Sequence, residues 1–250
     1  MKQPTVQPLS PSGIALVIFA KAPVPGRVKT RLCPPLTHDE AATLHGSFVL
    51  DTLERTKTAT VKLKLPIDRY LACAPSSTLT FFKIMEERQG VKLIEQEGED
   101  LGSRMHRAFE TMFAKGYRRV LIVGTDIPSL PLDYYKQAID LLERHDAVFG
   151  PAQDGGYYLI GLKKPSGYLF ENIPWSSEQV LTVTCERAKI LGLRTGLLPE
   201  WRDVDTIDDL RALIEASALD VKKPKQDQSF SGRTAGALQL IAKRLRTRVS

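Results

Sequence analysis

Cysteine is scarce in this sequence and long apolar runs are missing, and each shortage narrows the class of protein. Cys33, Cys73 and Cys185 are an odd number, far apart, with no Cys-x-x-Cys pair among them. That excludes a disulfide framework and fits buried or incidental thiols in a reducing compartment. The apolar run 14–20 falls far short of the roughly 18 residues of a membrane span. Residues 1–13 are rich in Pro, Gln and Ser and hold no apolar signal core, so they read as a flexible leader on a cytoplasmic protein. The four histidines (His38, His45, His106, His145) lack metal-ligand spacing. The Gly-x-x-x-x-Gly-Lys-Ser/Thr phosphate loop is absent, and no internal repeat is present.

A net charge of +6 would suggest a nucleic-acid partner, but its location argues otherwise. From Val221 onward there are eight basic residues and one acid, Asp227; removing them from totals of 35 and 29 leaves 27 basic against 28 acidic residues in 1–220. The basicity belongs to the tail, so no nucleic acid is expected on the globular part. A hydrophobic fraction of 42% over 250 residues supports one α/β domain spanning 14–219, followed by a 220–250 segment of linker and helix.

What is present is a series of apolar runs, each ending in a polar turn. Residues 120–123 lead into Gly124-Thr125-Asp126-Ile127-Pro128. Such a run reads as a buried parallel strand that delivers a carboxylate to the carboxyl edge of a sheet, where open α/β sheets bind ligands. Asp126 is therefore the first candidate for chemistry; the competing reading is a turn aspartate that only accepts backbone N–H bonds. Strand 14–20 runs into loop 21–32, which mounts Lys21, Arg27, Lys29 and Arg31 on backbone stiffened by Pro23, Pro25 and Gly26. Lys supplies a point charge and Arg a planar fork to phosphate oxygens, so this loop is either a phosphate site or a solvated basic face.

Helices and strands alternate through the rest. Thr37 and Glu40 form a capping box for a helix to about Thr56. Strands follow at 69–74 and 91–94, with a helix from Ser76 or Ser77 between them. At the next junction, Gly102 and Arg104 either line a nucleotide base or ribose or simply open a helix. Residues 132–144 are helical, 146–150 and 157–162 are strands, and Asp154 lies beside Gly155 and Gly156 in the turn between them. A plain hairpin is the commonest use of Asp-Gly, and Asp154 gains functional weight only if it faces Asp126 across a cleft. A helix opens at 175–177, a late strand covers 193–198, and Asp205 or Thr206 caps the last core helix. Asp203 and Asp205 flank Val204, and one of them can place an oxygen on a divalent ion shared with Asp126. In the tail, Leu238, Ile241, Leu245 and Val249 share one face among Lys243, Arg244, Arg246 and Arg248. This basic amphipathic helix either makes weak contact with an anionic membrane surface or docks on the domain.

Five stretches, 21–32, 124–128, 150–162, Pro174-Trp175-Ser176-Ser177 and 201–206, together resemble the DUF2064 group, the glycosyltransferase family whose name is tied to arsenosugar biosynthesis. The resemblance covers about 14–212 in the right order; Ser177 departs from it, standing where the family's pattern has Thr. It implies a Rossmann-like glycosyltransferase A fold, mostly parallel sheet with helices on both faces, shared with nucleotide-diphospho-sugar transferases and with molybdenum cofactor and phospholactate nucleotidylyltransferases. It further implies a metal-dependent glycosyltransferase that moves a sugar from a nucleotide-diphospho-sugar to a small-molecule acceptor. The alternative is a nucleotidylyltransferase that forms a nucleotide-activated metabolite from a nucleoside triphosphate and releases pyrophosphate. The lack of a Gly-rich opening leans toward the first. On this resemblance Asp126 holds Mg²⁺ or Mn²⁺ with Asp205 or Asp203 as a further ligand, and Lys21, Lys29 and Arg31 grip phosphates while Arg27 points to solvent. Ala22, Pro23, Gly26, Thr125, Gly102 and Arg104 shape the same nucleotide site, and Asp154 binds the sugar or acceptor hydroxyl and acts as its base.

Overall fold

The computed structural model describes residues 13–225 and 228–247; the leader reading for 1–12 and the placement of Arg248 and Val249 on the tail helix lie outside them. Seven strands, β1 (Ile14–Lys21), β2 (Ile67–Ala74), β3 (Lys92–Glu95), β4 (Arg119–Val123), β5 (Ala147–Pro151), β6 (Tyr157–Leu162) and β7 (Thr195–Leu197), form one sheet. Their order is β3-β2-β1-β4-β6-β5-β7. All neighbours pair parallel except β6, which runs antiparallel to both β4 and β5. β1 is apolar at almost every position because both of its faces are covered.

Period-2 alternation sends the side chains of each central strand to opposite cores. Leu16, Ile18, Leu121 and Val123 pack against α1 (His38–Lys62), α2 (Thr80–Gln89) and α4 (Leu132–Arg144) through Leu53, Phe82 and Tyr135. Val17, Val120, Ile122 and Phe149 pack against α3 (Leu101–Ala114) and α5 (Val180–Ile190) through Met105, Phe109 and Ala188. This is the α/β fold expected, with helices on both faces. A third cluster joins the outer side of α1 to α6 (Ile207–Asp220) and α7 (Gly232–Thr247), burying Leu44, Phe48, Leu210, Leu213, Leu238 and Ile241. The tail helix therefore spends its apolar face on the domain instead of offering it to a membrane surface. No helix among the described residues is long and apolar enough to cross a membrane.

Two boundaries differ from expectation for visible reasons. α1 continues to Lys62 through a threonine-rich stretch in which Thr52, Thr56 and Thr60 satisfy their hydroxyls on the Phe48, Leu53 and Thr56 carbonyls of the helix itself; such residues are poor helix signals in sequence, so the early stop was expected. Residues 175–177 do not open α5: Ser176 adopts φ +65° and Ser177 Oγ donates back to the Pro174 carbonyl at 2.7 Å, making a turn that delays the helix to Val180.

Candidate active site

Of the connections that leave the carboxyl edge of the parallel strands, four build the site: 22–37 after β1, 124–131 after β4, 152–156 between β5 and β6, and 198–206 after β7. β2 lies on one side of β1 and β4 on the other, so the crevice between the ends of β1 and β4 is where strand order reverses and ligands bind in such sheets. Backbone hydrogen bonds stitch the loops together. Val204 N–H donates to the Asp126 carbonyl at 3.0 Å, Trp201 N–H to Pro151 at 3.0 Å, and Leu181 N–H to Gly155 at 2.9 Å.

Lys29 sits at the centre. Its ammonium lies 2.7 Å from Asp126 Oδ1 and 2.8 Å from Asp205 Oδ1, and donates to the Val204 carbonyl at 2.6 Å; its side chain is 5% exposed. Burial would lower the Lys29 pKa, but Asp126 and then Asp205 outweigh it and the group is held above its ordinary value. Burial would likewise raise the Asp126 carboxyl, yet Lys29 and, behind it, His45 keep it below the ordinary carboxylate value. Asp126 Oδ1 is fully buried although the side chain is 39% exposed, so the exposure falls on the rest of the side chain.

His45, from the core side of α1, approaches the same Oδ1 through Nδ1 at 3.8 Å while Nε2 lies 3.0 Å from the Lys21 carbonyl. A carbonyl only accepts, which assigns the proton to Nε2 and leaves Nδ1 bare in the neutral ring; burial holds the imidazole pKa down. His45 thus roots the start of the basic loop.

Beside this pair stands a cluster of acids. One carboxylate oxygen each of Asp154, Asp203 and Asp205 lies within 4.8 Å of the others. Asp203 is pushed up to about 7, first by burial and then by the charges of Asp154 and Asp205. Three hard oxygen donors could hold a hard divalent cation, and one of them, Asp205, also pairs with Lys29. Asp154 does occupy a hairpin turn, with Gly156 N–H donating to its Oδ1 at 2.8 Å, and that turn also faces Asp203 and Asp205. The hairpin reading of Asp154 is realised, and the acids its carboxylate meets are Asp203 and Asp205, where Asp126 was expected. Gly155, at φ +85°, lets the turn lie on the backbone of Glu178.

The other expected residues separate into two groups. Lys21 at the end of β1 and Arg27 and Arg31 on the loop after it are exposed, and Arg31 Nη1 reaches 3.9 Å from Asp205 Oδ2. Ala22 is buried and donates its N–H to Ala74, Pro23 packs near Gly46, Gly26 turns the loop at φ +73°, and Thr125 is buried behind Asp126. Gly102 has a packing role, since a Cβ there would meet the Trp175 ring at 2.6 Å. Arg104 donates Nε–H to the Gly98 carbonyl at 2.9 Å, closing its own loop. Lys29, expected to grip phosphate, is engaged within the protein: it donates to the Val204 carbonyl and Asp205 Oδ1 and pairs with Asp126 Oδ1. His45 was not singled out in sequence for this site, and its only signal there is a histidine on the apolar stripe of α1.

Comparison with known proteins places this geometry in context. The family model DUF2064, described as an uncharacterized protein conserved in bacteria, matches residues 57–177. The crystal structure of a candidate nucleotide-diphospho-sugar transferase from Desulfovibrio desulfuricans G20 is 32% identical, covering 94% of this chain and 97% of that one, with a TM-score of 0.78. The 2-phospho-L-lactate guanylyltransferase of Methanothermobacter thermautotrophicus is 27% identical over 194 residues, 74% of this chain and 78% of that protein. A cytidylyltransferase from Leptospira borgpetersenii shares the fold at a TM-score of 0.52 and 16% identity, covering 94% of this chain and 95% of that one.

Proposed function

The chain belongs to the DUF2064 family, and from that premise we propose that this transferase is a nucleotidylyltransferase, moving a nucleoside monophosphate from a triphosphate onto a small anionic acceptor. The observation that carries the reading is the convergence, at one sheet edge, of the exposed cations Lys21 and Arg31 with the acids Asp126, Asp154, Asp203 and Asp205. In the reaction an acceptor oxygen attacks the α-phosphorus, its new P–O bond replaces the bond to the β-phosphate, and pyrophosphate leaves. Lys21 and Arg31 hold the phosphates electrostatically. Asp154, Asp203 and Asp205 would hold Mg²⁺ or Mn²⁺, with Asp126 joined to Asp205 through Lys29; when bound, the ion would neutralise charge on the departing pyrophosphate. A phosphate or carboxylate acceptor already carries its negative charge, so Asp154 serves as a metal ligand and not as a base. Similarity to a guanylyltransferase over most of its length supports nucleotidyl over glycosyl transfer.

Glycosyl transfer from a nucleotide-diphospho-sugar is the second reading, favoured by the name of the 32% identical structure. The two differ in products. Each α-labelled triphosphate is incubated with Mn²⁺ and anionic acceptors, 2-phospho-L-lactate first, and pyrophosphate is measured; each nucleotide sugar is assayed in parallel for release of the diphosphate. Pyrophosphate formation that Asp126→Asn abolishes is the expected outcome. Diphosphate release with no pyrophosphate would replace this reading with the second.

A further inference from the structure

Lys29 is a resident cation in a site that, on the reading above, must admit another. The ammonium is buried, contacts one oxygen of Asp126 and one of Asp205, and is fixed by the Val204 carbonyl on the far strand connection. Its backbone is set as well, at φ 50° at the start of the 3-10 turn Thr30–Leu32. Asp205 is also a member of the Asp154–Asp203–Asp205 cluster. A divalent ion there would share a carboxylate with a positive charge that is nearly excluded from water, and like charges at that range repel strongly in such surroundings.

We propose that Lys29 is an internal counter-ion that opposes binding of a bare divalent ion, so that the metal enters with a polyphosphate that brings the missing negative charge. Metal and polyphosphate then assist each other, and the assistance is reciprocal by linkage. The inference depends on the metal-and-nucleotide reading of the site and adds to it an order of events controlled by one residue. A second account of the same contacts is available: Lys29 only glues the basic loop to the two aspartates. The accounts part on removal of the charge. An opposing cation, once removed, leaves a site that binds metal better; a lost glue leaves scattered ligands that bind it worse.

The test is a Mn²⁺ titration of the full chain, followed by the electron paramagnetic resonance signal of free Mn²⁺, in wild type, Lys29→Met and Lys29→Arg. Met keeps the length and apolar stem at this φ and removes the charge together with its N–H donors. Lys29→Met should bind Mn²⁺ alone about tenfold or more tighter than wild type, while Lys29→Arg stays close to wild type. In thermal melts, Mn²⁺ with inorganic triphosphate should raise the wild-type midpoint above the value reached with either alone, and in Lys29→Met the triphosphate should add little to Mn²⁺. Equal or weaker Mn²⁺ binding by a folded Lys29→Met overturns the inference. If that variant does not fold, the wild-type melts decide: no gain from combining Mn²⁺ and triphosphate overturns it too. Absence of Mn²⁺ binding in every protein and condition would instead remove the metal reading, and this inference with it.

Discussion

At the scale of single residues, the site is built from charges that oppose each other in a fixed pattern. Asp203 shows the cost most directly. Its carboxyl is pushed up to about 7 by burial and by Asp154 and Asp205, whereas in the unfolded chain it ionises near the ordinary value. A raised acid binds more protons folded than unfolded, so its contribution falls as pH rises: it is neutral in its effect below about pH 4 and costs stability progressively up to about pH 7. Asp203→Asn should therefore stabilise the metal-free protein at pH 8 by about 2 kcal/mol, the full shift being discounted for screening in a solvent-facing cluster. The gain should vanish near pH 4, and the same variant should bind Mn²⁺ less well. Melting curves at the two pH values, without metal, check the sign. A destabilised Asp203→Asn at pH 8 would mean that Asp203 is held by favourable contacts and not crowded by its neighbours.

Elements set where these residues can stand, and the β5–β6 turn does so with little tolerance. At Gly155 a Cβ would lie 2.2 Å from the Glu178 carbonyl oxygen, at a φ of +85° that L side chains rarely adopt. The obstacle is backbone, so neither side can yield by changing rotamer. Gly155→Ala should cost about 2–4 kcal/mol, from strain and overpacking together, and should loosen Mn²⁺ binding by displacing Asp154. At Gly156 the Cβ would meet only the Asp154 carboxylate at 3.0 Å, so Gly156→Ala should cost much less. Equal melting temperatures for the two variants would show that the turn is free to move. Much of this was legible in the sequence. Apolar runs of strand length marked β1, β4 and β6, and a capping box marked α1, because these signals are local. Asp126 stood out as an acid at a strand end, and Asp205 as one of the two acids flanking Val204 before the last core helix, for the same reason. The partners of Lys29 were not legible, since Asp205 is 176 residues away and only the folded sheet edge brings the two together. Nor could a pattern of alternation reveal that β6 inserts antiparallel between β4 and β5, which is what turns Asp154 toward Asp203 and Asp205.

The molecule as a whole treats its basic tail as a structural part. Arg233 pairs with Asp51 and Glu54 at 3.0 Å each, and Arg244 with Glu40 at 2.6 Å, so these tail cations neutralise an acidic side of α1. The joint is made by Asp220, buried at the end of α6, which accepts from the Ser229 and Phe230 N–H groups and from Lys223. Burial would raise this carboxyl, but Lys223 and those two amides outweigh it and hold it low. A depressed acid gives stability above its unfolded pKa, about 4, and loses it as pH falls through the folded value. Asp220→Asn should therefore melt well below wild type at pH 7, and the gap should close toward pH 3. Removing 222–250 goes further, because it uncovers Leu44, Phe48, Leu210 and Leu213 on α1 and α6. Loss of Leu238 and Ile241 burial alone is worth about 3–6 kcal/mol. That is a large part of the roughly 5–15 kcal/mol that holds a domain together. The truncated chain should aggregate or melt far below the full-length protein. Val204, packed in the same cluster and adjacent to Asp205, links that loss to the site, so any folded fraction should bind Mn²⁺ more weakly. A truncated protein that stays monomeric, melts like the full chain and keeps its metal affinity would return the tail to the status of an appendage and leave its charge for an external partner.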